Sequence, residues 1–143
     1  MRTFRIELVR ESGVSDVPGE ILSDSVGVAR VLAPEFNGLD REKFIVLLLD
    51  AKHRVIGVNT VSIGSLTASI VHPREVFKPA IAGNSAAVIL AHNHPSGDPA
   101  PSLEDVELTK RLREAGELLG IRVLDHVILG DGTHYSFVDA DAL

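Results

Sequence analysis

Ala91-His92-Asn93-His94-Pro95-Ser96-Gly97-Asp98-Pro99-Ala100-Pro101-Ser102-Leu103-Glu104-Asp105 is the stretch around which the rest of the chain is organised. An apolar run from residue 86 leads into it, so a buried strand delivers His92 and His94. Residues two apart on a strand point the same way, and both imidazoles can address one ion. The Pro/Gly-rich segment that follows turns the chain back, and a helix beginning near Ser102 presents Asp105 toward the same point. Two nitrogens and one oxygen leave a coordination position free, as catalytic zinc requires, whereas structural zinc is closed by four protein ligands. Ser102-x-x-Asp105 ahead of an apolar-periodic run also reads as a capping box with Ser102 as N-cap. Asp105 nevertheless falls on the apolar stripe of that helix, and an inward carboxylate needs a partner because an unpaired buried charge is costly. His-x-His closing an apolar strand is likewise a poor core choice unless something engages both rings.

Downstream, the helix runs over 102–120, with Leu108, Leu112, Ala115 and Leu119 on one stripe and Glu104, Glu107, Arg111 and Glu114 largely on another. A strand over 122–129, a turn at Gly130-Asp131-Gly132 and a partner strand over 134–138 follow. His126, next to Asp125 in that strand, reads as a hydrogen-bonded structural histidine. Upstream, Phe44-Ile45-Val46-Leu47-Leu48-Leu49 is apolar without a break, the mark of a central strand covered on both faces. Asp50-Ala51-Lys52-His53 turns it into an antiparallel partner over 55–63 that Gly64-Ser65 closes. Pro73 suits the first position of a helix with Val76, Phe77, Ala80 and Ile81 inward, His72 as its boundary and Pro79 as a candidate kink.

Nearer the start, Phe4, Ile6 and Leu8 alternate with Thr3, Arg5 and Glu7 as in a half-buried edge strand. Residues 12–20 read as a loop. Ser23-Asp24-Ser25 offers N-cap chemistry to a short helix over 26–32 that Pro34 stops, and Asn37-Gly38-Leu39-Asp40 reads as another loop. Turn chemistry accounts for Asn93, Pro95, Ser96, Gly97, Pro99 and Pro101, and His53 and His134, beside turns, are expected to face solvent. The order strand, helix, hairpin, helix, strand, helix, hairpin predicts an α/β fold, a three-layer α/β/α arrangement with a mixed sheet. The candidate site then lies at the end of a central strand beside a helix N-terminus, where open α/β sheets place their ligands.

One domain is expected from 143 residues, of which 45% are apolar. A chain of this size buries roughly 70% of its unfolded surface. The formal charge of -6 and a pI near 5.4 argue against nucleic acid, whose readers usually present a basic face. With no cysteine, disulfides, thiolate metal sites and cysteine nucleophiles are excluded. So is the nucleoside-deaminase type of zinc site, which needs Pro-Cys-x-x-Cys and His-x-Glu. Residues 1–7 form no apolar leader core, and no run approaches the roughly 18 apolar residues of a membrane span, so the chain reads as cytoplasmic.

His92-x-His94, seven residues and then Ser102-x-x-Asp105 resembles the JAMM signature of the JAB/MPN metalloprotease superfamily. Within it, Val71-His72-Pro73-Arg74-Glu75-Val76-Phe77, then Ala91 to Gly97, then Val123-Leu124-Asp125-His126 are similar to RadC-type proteins, most strongly over 36–143. The resemblance implies one RadC-type domain of JAB/MPN (cytidine-deaminase-like) architecture and a zinc held by His92, His94 and Asp105. It further implies hydrolysis of peptide or isopeptide (amide) bonds in a peptide or protein substrate, with Ser102 placed to hydrogen-bond the reacting carbonyl or its oxyanion. JAMM enzymes take their proton-shuttling carboxylate from a glutamate near the start of an early central strand. Glu42, two residues before Phe44, matches best, against its other account as a solvated loop residue, and Glu75 is the reserve. Superfamily members without metal ligands serve as scaffolds, so a non-catalytic interaction module is the alternative function. A DNA-repair-associated accessory role is suggested by the family name and opposed by the acidic balance. RadC-type proteins also carry an N-terminal helix-hairpin-helix region, which nothing before Phe44 resembles.

Overall fold

An unbroken apolar strand is stable only between two layers, and the computed structural model, which describes residues 1–9, 20–64 and 71–143, gives β1 (Lys43–Leu49) that setting. Ile45, Leu47 and Leu49 pack against Val28, Leu32 and Phe36 of α1 (Ser25–Phe36). Phe44, Val46 and Leu48 face the opposite core, built with Val76 and Phe77 of α2 (Pro73–Ala82) and Leu108 and Leu112 of α3 (Leu103–Leu119). The sheet is completed by β2 (Val55–Ile63), β3 (Ala87–Asn93), β4 (Arg122–Leu129) and β5 (His134–Ser136), in the order β2-β1-β3-β4-β5. β3 and β4 are parallel, joined by α3 as such a crossover requires, and the other neighbours are antiparallel. The fold is therefore the expected three-layer α/β/α arrangement on a mixed sheet. Among the described residues no helix is long and apolar enough to cross a membrane.

Local chemistry explains most boundaries. Asp24 caps α1 by accepting from the Gly27 N–H (2.8 Å), and His72 caps α2 through Nδ1, which accepts from the Arg74 N–H (3.0 Å). Pro79 lies buried inside α2. In the β1–β2 turn the Asp50 carboxylate accepts from the N–H groups of Lys52 and Arg54 (both 2.9 Å), and exposed His53 takes a left-handed φ of 61°.

Three boundaries differ from expectation. Residues 1–9 form no strand, and Phe4 and Ile6 are exposed (84% and 82%): alternation stabilises a strand only where a sheet edge takes its ladder and a core takes its apolar side. Helix α1 passes through Pro34 to Phe36. Proline there forfeits one backbone bond on the exposed face, while Leu32 and Phe36, one turn apart and both buried, hold the last turn to the core. β5 ends at Ser136, short of residue 138, because the Val138 N–H donates to the Asp125 carboxylate (3.1 Å) and not to a strand. The loop expected over 12–20 lies outside the described residues except for Glu20, whose carbonyl accepts from the Val55 N–H (2.9 Å); Ser65 lies outside them too.

Candidate metal centre

Alternation along β3 turns Ala87, Ile89 and Ala91 toward α1 and Val88 and Leu90 toward α3, so His92 enters the α3 side. It is fully buried, with the Phe44 ring stacked on it at 5.9 Å. His94 lies just past the strand yet stays tied to β4, its N–H donating to the Leu129 carbonyl (2.9 Å). The chain then reverses against the β4–β5 turn, where the Asp131 N–H donates to the Gly97 carbonyl (3.0 Å). Glycine is required at that contact: Gly97 has φ +91°, and a Cβ on Gly130 would stand 2.3 Å from the Gly97 carbonyl oxygen.

The reversed chain enters α3 through a complete capping box. Ser102 Oγ accepts from the Asp105 N–H (3.0 Å), and Asp105 Oδ2 accepts from the Ser102 N–H (2.9 Å). The same carboxylate lies 3.1 Å from His94 Nε2 through Oδ2 and 3.3 Å from His92 Nε2 through Oδ1, and the two Nε2 atoms are 3.1 Å apart. Capping and ligation are thus compatible roles, since the box fixes the carboxylate that faces the imidazoles. The three residues offer ligand atoms all within 4.8 Å of one another.

This donor set fits a divalent metal ion. His94 Nδ1 lies 2.8 Å from the Asp98 carbonyl, which can only accept, so Nδ1 carries the proton and Nε2 presents a lone pair to the Asp105 carboxylate. Acceptor facing acceptor is favourable only with a cation or proton between them. Burial pushes the Asp105 carboxyl up, but in the metal-free site a doubly protonated His92 ring, together with the Ser102 donors, outweighs it and holds the group well below the usual carboxylate range. Among the described residues neither lysine nor arginine pairs with this nearly buried anion. Two imidazole nitrogens and a carboxylate oxygen are ligands that zinc and its first-row neighbours accept.

Around this cluster the other candidates separate. Glu42 is half-buried one residue before β1, and alternation puts it on the side of Phe44, the register partner of His92. Asn93, expected as a turn residue, is instead the buried end of β3. Its Oδ1 accepts from the Lys43 N–H (2.8 Å) and its Nδ2 donates to the Arg41 carbonyl (3.1 Å), bracketing Glu42 on both sides. A polar residue on the last buried position of a strand was the available signal, since such groups are hydrogen-bonded. Glu75 sits apart on α2, its carboxyl lowered chiefly by the Lys78 hydrogen bond (2.8 Å), with Arg74 also adjacent. His134 does not face solvent freely: half-buried, its Nε2 is 3.2 Å from Ser25 Oγ, which also donates to Asp139.

His126 is buried and hydrogen-bonded, as expected, but its partners are Thr109 and the candidate ligand His92, and its ring stacks on Phe137 (5.1 Å). Asp125 accepts from Ser136 Oγ (2.5 Å) and from the N–H groups of His126 (2.7 Å) and Val138 (3.1 Å). These three bonds make it a brace between β4, β5 and Val138, and burial pushes its carboxyl up against the donors. Beside His94 a cleft of about 510 Å³ opens between the end of α1 and the β4–β5 turn, walled by Phe36, Gly38, Pro95, Gly97, Asp131 and His134 among others. Of His92, His94 and Asp105 only His94 lines it.

Compared with known proteins, residues 22–142 match the family model of the RadC-like JAB domain. A UPF0758 protein of Geobacter sulfurreducens is 61% identical over 108 residues, which are 76% of this chain and 47% of that protein. One from Alkaliphilus metalliredigens is 60% identical over 109 residues, again 76% and 47%. One from Desulfitobacterium hafniense is 48% identical over 139 residues, 96% of this chain and 61% of that protein. The chain spans about half the length of curated relatives it matches.

Proposed function

The chain belongs to the RadC-like JAB domain family, and on that footing we propose that it is a zinc-dependent hydrolase of peptide or isopeptide bonds in which His92, His94 and Asp105 hold the metal. One observation carries this: two imidazole nitrogens and a carboxylate converge at 3.1 to 3.3 Å on a rigid capping box, an arrangement that asks for a cation. A zinc ion bound there would polarise an amide carbonyl and acidify water to a pKa of about 7.

The chain's own residues supply the rest. Glu42, held at the start of β1 by the Asn93 amide, takes a proton from the attacking water and returns it to the leaving amine. Glu75 is poorly suited to that work, with its carboxylate engaged by Lys78. Ser102, exposed at the cap of α3, donates its hydroxyl proton to the carbonyl oxygen as charge develops there, while its oxygen stays fixed by the Asp105 N–H. The cleft beside His94 is where an extended substrate backbone would lie. All three ligands being present favours an enzyme over an interaction module. A net charge of -6 gives no support to a nucleic-acid role.

Peptide and isopeptide libraries incubated with zinc-loaded chain test the proposal. Cleavage is expected, lost on chelation and reduced about 100- to 10,000-fold by Glu42→Gln with the zinc retained, and unaffected by Glu75→Gln. Lack of chelator-sensitive cleavage in both libraries, or a fully active Glu42→Gln, contradicts it.

A further inference from the structure

Behind the metal cluster lies a buried chain of hydrogen bonds whose direction is fixed at its far end. Thr109 sits on α3 one turn after Asp105, is 2% exposed, and its Oγ1 is 2.7 Å from the Asp105 backbone carbonyl and 2.6 Å from His126 Nδ1. A carbonyl oxygen can only accept, so the hydroxyl proton of Thr109 is committed to it and Oγ1 is left as an acceptor. His126 Nδ1 must then carry the ring proton, which leaves His126 Nε2 as a bare lone pair. That lone pair faces His92 Nδ1 at 2.8 Å, so His92 Nδ1 carries its proton in turn. His92 Nε2, the atom turned to Asp105 and His94, is thereby left unprotonated.

We propose that Thr109, acting through His126, is a positioning residue that sets the tautomer of His92 and so presents Nε2 as the ligand atom. The surroundings leave the relay little freedom. His92 and His126 are fully buried, Phe44 stacks on one ring and Phe137 on the other, and a half-turn of either ring would put carbon where nitrogen now makes the buried hydrogen bonds. The two ligand imidazoles are thus set by different means: His94 by a peptide carbonyl of its own loop, His92 by a helix carbonyl reached through two side chains. The second route ties the ligand atom on β3 to the helix that carries the third ligand. Without the Thr109 hydroxyl, His126 would bury an unpaired Nδ1–H. The chain of bonds is then relieved by reversing: His126 Nε2 donates to His92 Nδ1, and the proton moves to His92 Nε2, where it blocks ligation.

This rests on His92 being a metal ligand, so the test reads the tautomer and the metal separately. In metal-free protein at alkaline pH, where the imidazoles are neutral, long-range ¹H–¹⁵N NMR distinguishes a protonated Nδ1 from a protonated Nε2. Wild type is expected to show His92 with the proton on Nδ1. Thr109→Val, which keeps the branched shape, is expected to shift it toward Nε2, and Thr109→Ser to restore it. Loss of the hydroxyl that merely loosened the fold would leave the tautomer unchanged. In competition with a chromophoric chelator, zinc affinity should fall about 10- to 100-fold in Thr109→Val and recover in Thr109→Ser. Thr109→Ala carries the same test if the valine variant does not fold. An unshifted His92 tautomer in a folded hydroxyl-free variant overturns the proposal even if zinc still binds. The expected shift in a wild-type background that binds no zinc supports the relay while removing the metal reading.

Discussion

Asp105 serves an N-cap and a pair of imidazoles with one carboxylate, and two substitutions separate those duties. Ser102→Ala should cost about 0.5 to 2 kcal/mol through the lost cap, equally with and without chelator, and leave zinc bound. Asp105→Asn keeps an oxygen for the Ser102 N–H but loses the charge, so it should abolish the rise in thermal midpoint that zinc gives wild type while changing metal-free stability less. Thermal unfolding with and without chelator checks both. Asp125 gives a pH prediction. Burial raises its folded pKa above the unfolded value of about 3.9, so the stability it contributes is fully present below that value and is lost as pH rises through the folded one. Asparagine there can still accept from the His126 and Val138 N–H groups and donate to Ser136. Asp125→Asn should therefore gain on wild type between pH 4 and pH 7 in urea midpoints, whereas Asp125→Ala should lose about 1 to 3 kcal/mol at either pH. The convergence of His92, His94 and Asp105 was legible because their spacing carries meaning along the chain. The roles of Asn93, Thr109 and Asp125 were not, because no motif spacing or periodicity ties them to Lys43, His126 and Ser136, the partners that only the folded sheet and helix bring to them.

Helix α3 meets β4 at Gly116, and there propensity and packing pull in opposite directions. Alanine would add about 1 kcal/mol of helix propensity, but its Cβ would stand 2.4 Å from the Ile121 carbonyl oxygen and 3.2 Å from the Phe77 ring. A backbone atom cannot swing aside as a flexible side chain can, so Gly116→Ala should lower stability by about 1 to 3 kcal/mol net, read as a fall in denaturant midpoint. A rise would mean that α3 is free to move off the sheet. The β3-to-β1 contact makes a second prediction. Asn93→Ala frees Arg41 and Lys43 around Glu42 without touching a ligand, so zinc content should stay at the wild-type level while hydrolysis falls toward that of Glu42→Gln, both measured on one preparation. Elements were legible where the local pattern and the tertiary setting agree. β1 is apolar throughout and covered on both faces, and α3 has an apolar stripe, a cap at Ser102 and a left-handed Gly120 at its end. Pattern and setting disagree elsewhere: Pro34 is a local stop signal that the burial of Phe36 overrides, and the alternation of Phe4, Ile6 and Leu8 is not paired with the described sheet.

At the scale of the molecule, the sheet order sets β1 beside β3, so the start of one strand and the end of its neighbour share an edge with the first turn of α3. The three-layer plan was legible because the order of elements allows few ways to cover a two-faced β1. The cleft beside His94 was not, since it is walled by α1, the loop after β3 and the β4–β5 turn, three segments far apart in sequence. Zinc joins β3 to α3 in this account, so it should stabilise the whole fold by mass action, about 4 kcal/mol at a free concentration 1,000 times Kd. The most direct measurement is elemental analysis of purified chain after loading with zinc and exhaustive dialysis, beside His92→Ala and Asp105→Asn treated identically. One zinc per wild-type chain and only traces in both folded variants is the predicted result; a folded wild type without zinc, or full occupancy in both variants, would contradict it.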